Sequence, residues 1–211
     1  MLIVNAVLET PDTADFSFWP VADLPPYRFM PLSGGMSLLE VGSALAMLAQ
    51  YNSRAGDDDR PSTDADEAVR RLLESDKVIA PGGLHIHDTR TDVTVRPGCC
   101  CGLEDWREWL AVTDGETPWL GHDPSPRLEH ADGVVRLWND QEDSGPPVEI
   151  VVGDLPGILH TVQEGLRGFL SLTERWAAHR VPALAEDLTA RLDEDLAVSA
   201  PLPGTSGRRT P

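Results

Sequence analysis

A chain of 211 residues with 41% apolar and 25% charged residues carries enough hydrophobic material for one core without disulfides or metals, which excludes disorder over most of its length. The 35 Asp and Glu against 17 Lys and Arg leave a formal net charge of -18. That balance excludes nucleic acid, whose affinity comes from basic side chains displacing counterions, and it disfavours anionic membrane surfaces.

The first residues, MLIVNAVLETPD, lack a basic leader segment, and their apolar run stops at Leu8, so residues 2 to 9 read as a strand and not as a signal peptide. Residues 11 to 35 are irregular and rich in Pro and Gly. Their aromatics (Phe16, Phe18, Trp19, Tyr27, Phe29) are of the kind that fastens a long loop to a core. Ser37-Leu38-Leu39-Glu40 is a capping box, and the helix it opens, to about Tyr51, is apolar nearly all round and therefore buried. Gly56 to Asp66 is a charged loop, from which Thr63 opens a second helix with Ala65, Ala68, Val69, Leu72 and Leu73 at helical spacing.

Leu84 and Ile86 alternate with His85 and His87, and Val93 and Val95 with Thr94 and Arg96, which predicts a β-hairpin with both histidines on its wet face. Leu103 to Val112 reads as a helix with a buried stripe of Leu103, Trp106, Trp109 and Leu110, ended by Asp114-Gly115. A second hairpin follows at about Arg127–His130 and Val134–Trp138, turned by Asp132-Gly133. Residues 148 to 152 add a strand, and Asp154 caps a long helix from about Leu155 to Ala178. Pro182 starts a last helix with Leu184, Leu188, Leu192 and Leu196 on one side and acidic residues on the other. From Ser199 onward the composition predicts a disordered tail.

The order lacks regular βαβ alternation. It gives an α+β fold of one domain over residues 1 to 198, with a mostly antiparallel sheet of five to six strands and four to five helices. Three consecutive cysteines cannot build a disulfide framework, and no apolar run approaches the length of a membrane span. Together with the high-GC style of a chain whose only lysine is Lys77, this places the protein in the bacterial cytoplasm.

Pro97-Gly98-Cys99-Cys100-Cys101-Gly102 is the densest chemical feature, and four readings of it stand side by side. It is a reactive thiol at a helix N-terminus with His85, His87 or His122 as base; a zinc site joining Cys99 and Cys101 to His85 and His87; an anion-binding turn; or small buried residues filling space under a tight turn. In Gly121-His122-Asp123-Pro124, Asp123 is placed to orient His122 as a general base. No nucleotide-binding, metalloprotease or hydrolase motif is present, so no catalytic residue and no cofactor are assigned, and zinc enters only through the cysteine turn.

The segment GLEDWREWLAVTDGETPWLGHDPSP, followed by DGVVRLWND, a strand and a helix ending GLRGFLSLTERW, resembles the SUKH superfamily of bacterial immunity proteins over about residues 97 to 178. Those proteins have a helix leading to a small glycine-containing turn, antiparallel strands and a helix with a Phe-Leu pair. Neither the cysteine turn nor Gly121-His122-Asp123-Pro124 belongs to that pattern. The resemblance implies a non-catalytic protein that neutralises a toxin by binding it.

Two functions follow from the sequence. One is an acidic, immunity- or inhibitor-like module for a basic protein partner, with the last-helix carboxylates Glu186, Asp187, Asp193, Glu194 and Asp195 supplying association rate and the loop indoles Trp19 and Trp119 supplying affinity. The other is a thiol- or zinc-dependent enzyme built on Cys99–Cys101 with His85, His87 or His122. Acidity also serves solubility alone.

Overall fold

The computed structural model describes residues 1–12, 16–53, 62, 64–142 and 145–202. The expected first strand is β1 (Leu2–Glu9), and it lies inside a four-stranded antiparallel sheet ordered β2-β1-β3-β4, with β2 at Phe29–Pro31, β3 at Gly82–Asp88 and β4 at Val93–Val95. Period-two alternation aims Ala6, Leu8, Leu84 and Ile86 at the core. The opposite face carries Ile3, Asn5, His85 and His87, the register pairing Asn5 with His85 and Ile3 with His87. A second antiparallel sheet, β5-β6-β7, is built from Arg127–Ala131, Val134–Trp138 and Val148–Val151, and β7 lies against β3 and β4. The sequence led to one sheet of five to six strands; the described residues form seven strands in two sheets. The strand it missed, β2, has three residues among prolines, too few to display alternation.

Helix α1 (Leu38–Ser53) begins at the expected capping box, in which the Ser37 N–H donates to the Glu40 carboxylate (2.7 Å) and the Glu40 N–H donates to the Ser37 hydroxyl (3.2 Å). Thr63, the expected start of α2, lies outside the described residues; α2 (Ala65–Glu74) is capped by Asp64, whose carboxylate accepts the Glu67 N–H. Helices α3 (Leu155–Arg180) and α4 (Ala185–Asp195) pack against each other, and α3 also covers β1 and α1. Asp154 does not cap α3 as expected: it sits in a short 3-10 turn, Val152–Asp154, and makes no cap bond. One continuous core joins the inner faces of both sheets to these helices, which makes the described chain a single α+β unit.

Leu103–Asp114 is a 3-10 helix and not the α-helix that its sequence suggested. Its buried residues, Leu103, Trp106, Trp109 and Val112, recur every third position, which is one face of a helix with three residues per turn. Leu110, assigned to the stripe on α-helical spacing, is only half-buried.

The start of the predicted tail also differs. The buried Gln163 amide donates to the Val198 and Ala200 carbonyls, Arg107 donates to those of Ala197, Ala200 and Pro201, and Leu202 is buried. Composition missed residues 199–202 because backbone carbonyls, which every residue has, make most of this attachment. The remainder of the predicted tail, 203–211, lies outside the described residues. Among the described residues no helix is long and apolar enough to cross a membrane.

Candidate functional site

The two loop motifs that the sequence presented separately form one structure. The Gly98 N–H donates to the Leu120 carbonyl (2.9 Å), and Cys99 and His122 exchange a backbone pair. The Trp119 indole donates to the Cys100 carbonyl (3.1 Å), and the Cys101 thiol donates to the Trp119 carbonyl. Glycine is required where the loops meet. A Cβ on Gly98 would lie 2.3 Å from the Pro124 carbonyl oxygen, and one on Gly121, whose φ is +84°, would lie 2.6 Å from the backbone of Gly98.

This ladder brings Cys99, Cys100 and one ring nitrogen of His122 together, their ligand atoms all within 4.8 Å of one another and all three side chains exposed. The two sulfurs are 3.7 Å apart, and the His122 Nδ1 is 3.1 Å from an Asp123 carboxylate oxygen. Cys100 holds φ at 62°, in the left-handed region, so its side chain leaves the turn on the same side as that of Cys99. Cys101 points the other way. Burial pushes its thiol up to about 11, with the carboxylates of Asp105, Glu104 and Glu108 acting in the same direction. The Cys99 thiol is also raised, first by its hydrogen bond with Cys100 and then by slight desolvation. Both shifts favour the protonated thiol over the nucleophilic thiolate.

The helix terminus invoked to activate a cysteine is engaged elsewhere. The Leu103 N–H donates to the Ala80 carbonyl, and the Glu104 carboxylate accepts the Ala80 N–H (2.9 Å). An anion-binding turn is likewise unsupported, since the Cys99 and Cys101 amides donate to carbonyls within the ladder. Of the ligand candidates offered by the sequence, the structure brings Cys99, Cys100 and His122 together, and does not group Cys101, His85 or His87 with them. His87 pairs with Asp92 through Nε2 (3.1 Å). His85 is half-buried on the sheet face, and its pKa is lowered by that burial, then by the charges of Arg96 and His87.

Trp19 is not a surface anchor. Its ring is 5% exposed, its indole donates to the Gly42 carbonyl (2.8 Å), and it meets Trp176 and Phe16 edge to face. A neighbouring proline placed it in a loop, correctly, but the loop folds inward. Five of the six tryptophans are buried, whereas Trp119 is 61% exposed beside the cysteine turn.

The last-helix acids divide into two sets. Asp195 is used internally, holding Arg191 (2.7 Å) and accepting the Val78 N–H (2.8 Å), and one Asp193 oxygen accepts the Ser199 N–H. Glu186, Asp187 and Glu194 are exposed. Glu186 and Asp193 also line an open groove of about 590 Å³ between the C-terminal part of α3 and α4. Glu174 completes its acidic rim, and Ala178, Pro182, Ala185, Thr189 and Ala190 complete its wall; among the described residues no basic side chain lines it. Glu174 escaped the sequence reading, although the small residues that flank the Pro182 turn on both helices were a legible sign of a recess there.

No protein family, curated protein or solved structure gives a match to this chain.

Proposed function

We propose that this protein is a non-catalytic acidic binding module, of the immunity or inhibitor kind, whose α3–α4 groove receives a basic segment of a partner protein. The observation that carries the reading is the lining of the groove: three carboxylates, Glu174, Glu186 and Asp193, above a wall of small residues, with no basic side chain among the described residues that line it. Small wall residues leave room for the methylene stem of an Arg or Lys, and the rim meets its charged head. A net charge of -18 adds a field that steers a cationic partner toward the molecule, and the adjacent Asp187 and Glu194 on α4 extend that field. The toxin-neutralising role implied by the resemblance to immunity proteins belongs to the same proposal.

The test separates the groove from the bulk charge. A labelled helical peptide of alternating Ala and Arg serves as the probe in stopped-flow binding. Its association rate is expected to fall steeply between low and physiological salt while dissociation changes little. The triple variant Glu174→Gln, Glu186→Gln, Asp193→Asn is expected to slow association about tenfold. A control triple, Asp92→Asn, Glu116→Gln, Asp132→Asn, removes the same charge from residues outside the groove and is expected to slow it about twofold. Equal effects of the two triples, or an association rate insensitive to salt, would overturn the proposal.

A further inference from the structure

We infer that Cys99, Cys100 and His122 form a zinc site with one exchangeable position. The argument starts from the distance between the sulfurs. Two thiolates bound to one tetrahedral ion at about 2.3 Å are about 3.8 Å apart, whereas two on opposite sides of an ion would be about 4.6 Å apart. The observed separation is 3.7 Å, so the pair is already spaced for a tetrahedral ion. The third donor, a His122 ring nitrogen, lies within 4.8 Å of both sulfurs, against about 3.6 Å in a formed tetrahedral site. An exposed imidazole closes that difference by a side-chain rotation. Thiolate and imidazole are the donors that select zinc over magnesium or calcium.

The scaffold holds these donors independently of any ion. The Cys99–His122 backbone pair fixes two of them across the ladder, and the left-handed Cys100 backbone fixes the third. Asp123 acts as a positioning residue: when His122 Nδ1–H donates to its carboxylate, Nε2 is the basic nitrogen, which is the common arrangement behind a metal-bound histidine. Binding releases the two thiol protons to solvent and leaves two Zn–S bonds and one Zn–N bond. Among the described residues these three are the only such donor cluster, so a water or a partner's side chain takes the fourth position. Trp119, exposed and bonded to the Cys100 carbonyl, stands beside whatever enters there.

The experiment is a titration of the reduced, purified full chain with Co²⁺, followed by displacement with Zn²⁺ against a chromophoric chelator. One equivalent of Co²⁺ is expected to bind with the absorption of a tetrahedral ion and a thiolate charge-transfer band, and zinc is expected to displace it. Cys99→Ser and Cys100→Ser are each expected to remove most of the charge-transfer band and to weaken binding at least 100-fold. Asp123→Asn is expected to weaken it about tenfold with the spectrum unchanged. Cys101→Ser and His87→Ala are expected to leave it unaltered. Because all three ligands are exposed, the variants should keep the parent's melting temperature, which checks that folding is intact. An octahedral spectrum without charge transfer would overturn the assignment. So would a loss in Cys101→Ser as large as in Cys99→Ser, or a Cys99–Cys100 disulfide in protein that takes up no metal.

Discussion

Replacing Trp106 tests whether the 3-10 helix is part of the core or a surface strap. Its side chain is 1% exposed, its indole donates to the Leu196 carbonyl (2.8 Å), and the Arg107 guanidinium lies 5.3 Å from its ring centre. Burying an indole removes roughly 200 Å² of surface from water, worth about 5 kcal/mol at 25 cal/mol per Å². Trp106→Ala also leaves a cavity and an unpaired Leu196 carbonyl, so the expected cost is about 4–6 kcal/mol. That is a large share of the stability of an ordinary domain, and Trp106→Phe is the more measurable variant. It keeps most of the ring and loses the hydrogen bond, an expected cost of about 2–3 kcal/mol and a drop of about 5–10 °C in Tm. Urea melts followed by far-UV circular dichroism avoid the change in fluorescence that the substitution itself produces. A cost below about 1 kcal/mol for Trp106→Ala would show that the ring is not enclosed and would refute the core assignment.

Two further outcomes follow from buried contacts. His85 has a native pKa below its unfolded value of about 6.5, so between those two values the unfolded chain binds more protons; stability should be full above pH 6.5 and should fall on acidification until the native value is passed. Urea midpoints at pH 7.5 and 5.5 measure that slope, and His85→Gln is expected to reduce it; an unchanged slope would show that other groups carry it. A chain ending at Val198 should be about 2–4 kcal/mol less stable than one ending at Leu202, because it loses Leu202 burial and the carbonyls held by Arg107 and Gln163; equal melting temperatures would show that these four residues contribute nothing.

What the sequence disclosed was local, and what it concealed was where distant segments meet. Asp132-Gly133 specifies a two-residue turn by its own backbone preference, and the Ser37–Glu40 box closes within one helical turn, so both could be read directly. The period of Leu103, Trp106, Trp109 and Val112 was equally visible, but helical spacings of three and of three to four share most of their members, and the α reading absorbed a 3-10 pattern. Cys99 and His122 are different in kind. No spacing rule joins residues that far apart, and the nearer pair on β3, His85 and His87, looked like the better partners because strand alternation could place them.

The acids of α4 carry the same lesson about function. Charge counts treat Glu186 and Asp195 alike, yet Asp195 is tied to Arg191 and the Val78 amide, whereas Glu186 stands on the groove rim. A carboxylate already paired inside the fold has little left to offer a partner, because its attraction is screened by the cation it holds and its lone pairs are occupied. The carboxylates able to act on a basic segment are thus the ones left over after folding: Glu174 and Glu186 on the rim, Asp187 and Glu194 beside it, and Asp193 through whatever Ser199 does not use. Neutralising Asp195 should therefore cost stability with little change in association rate, and neutralising Glu186 should do the reverse. That crossing of effects is what a docking groove predicts and what a uniformly acidic surface does not.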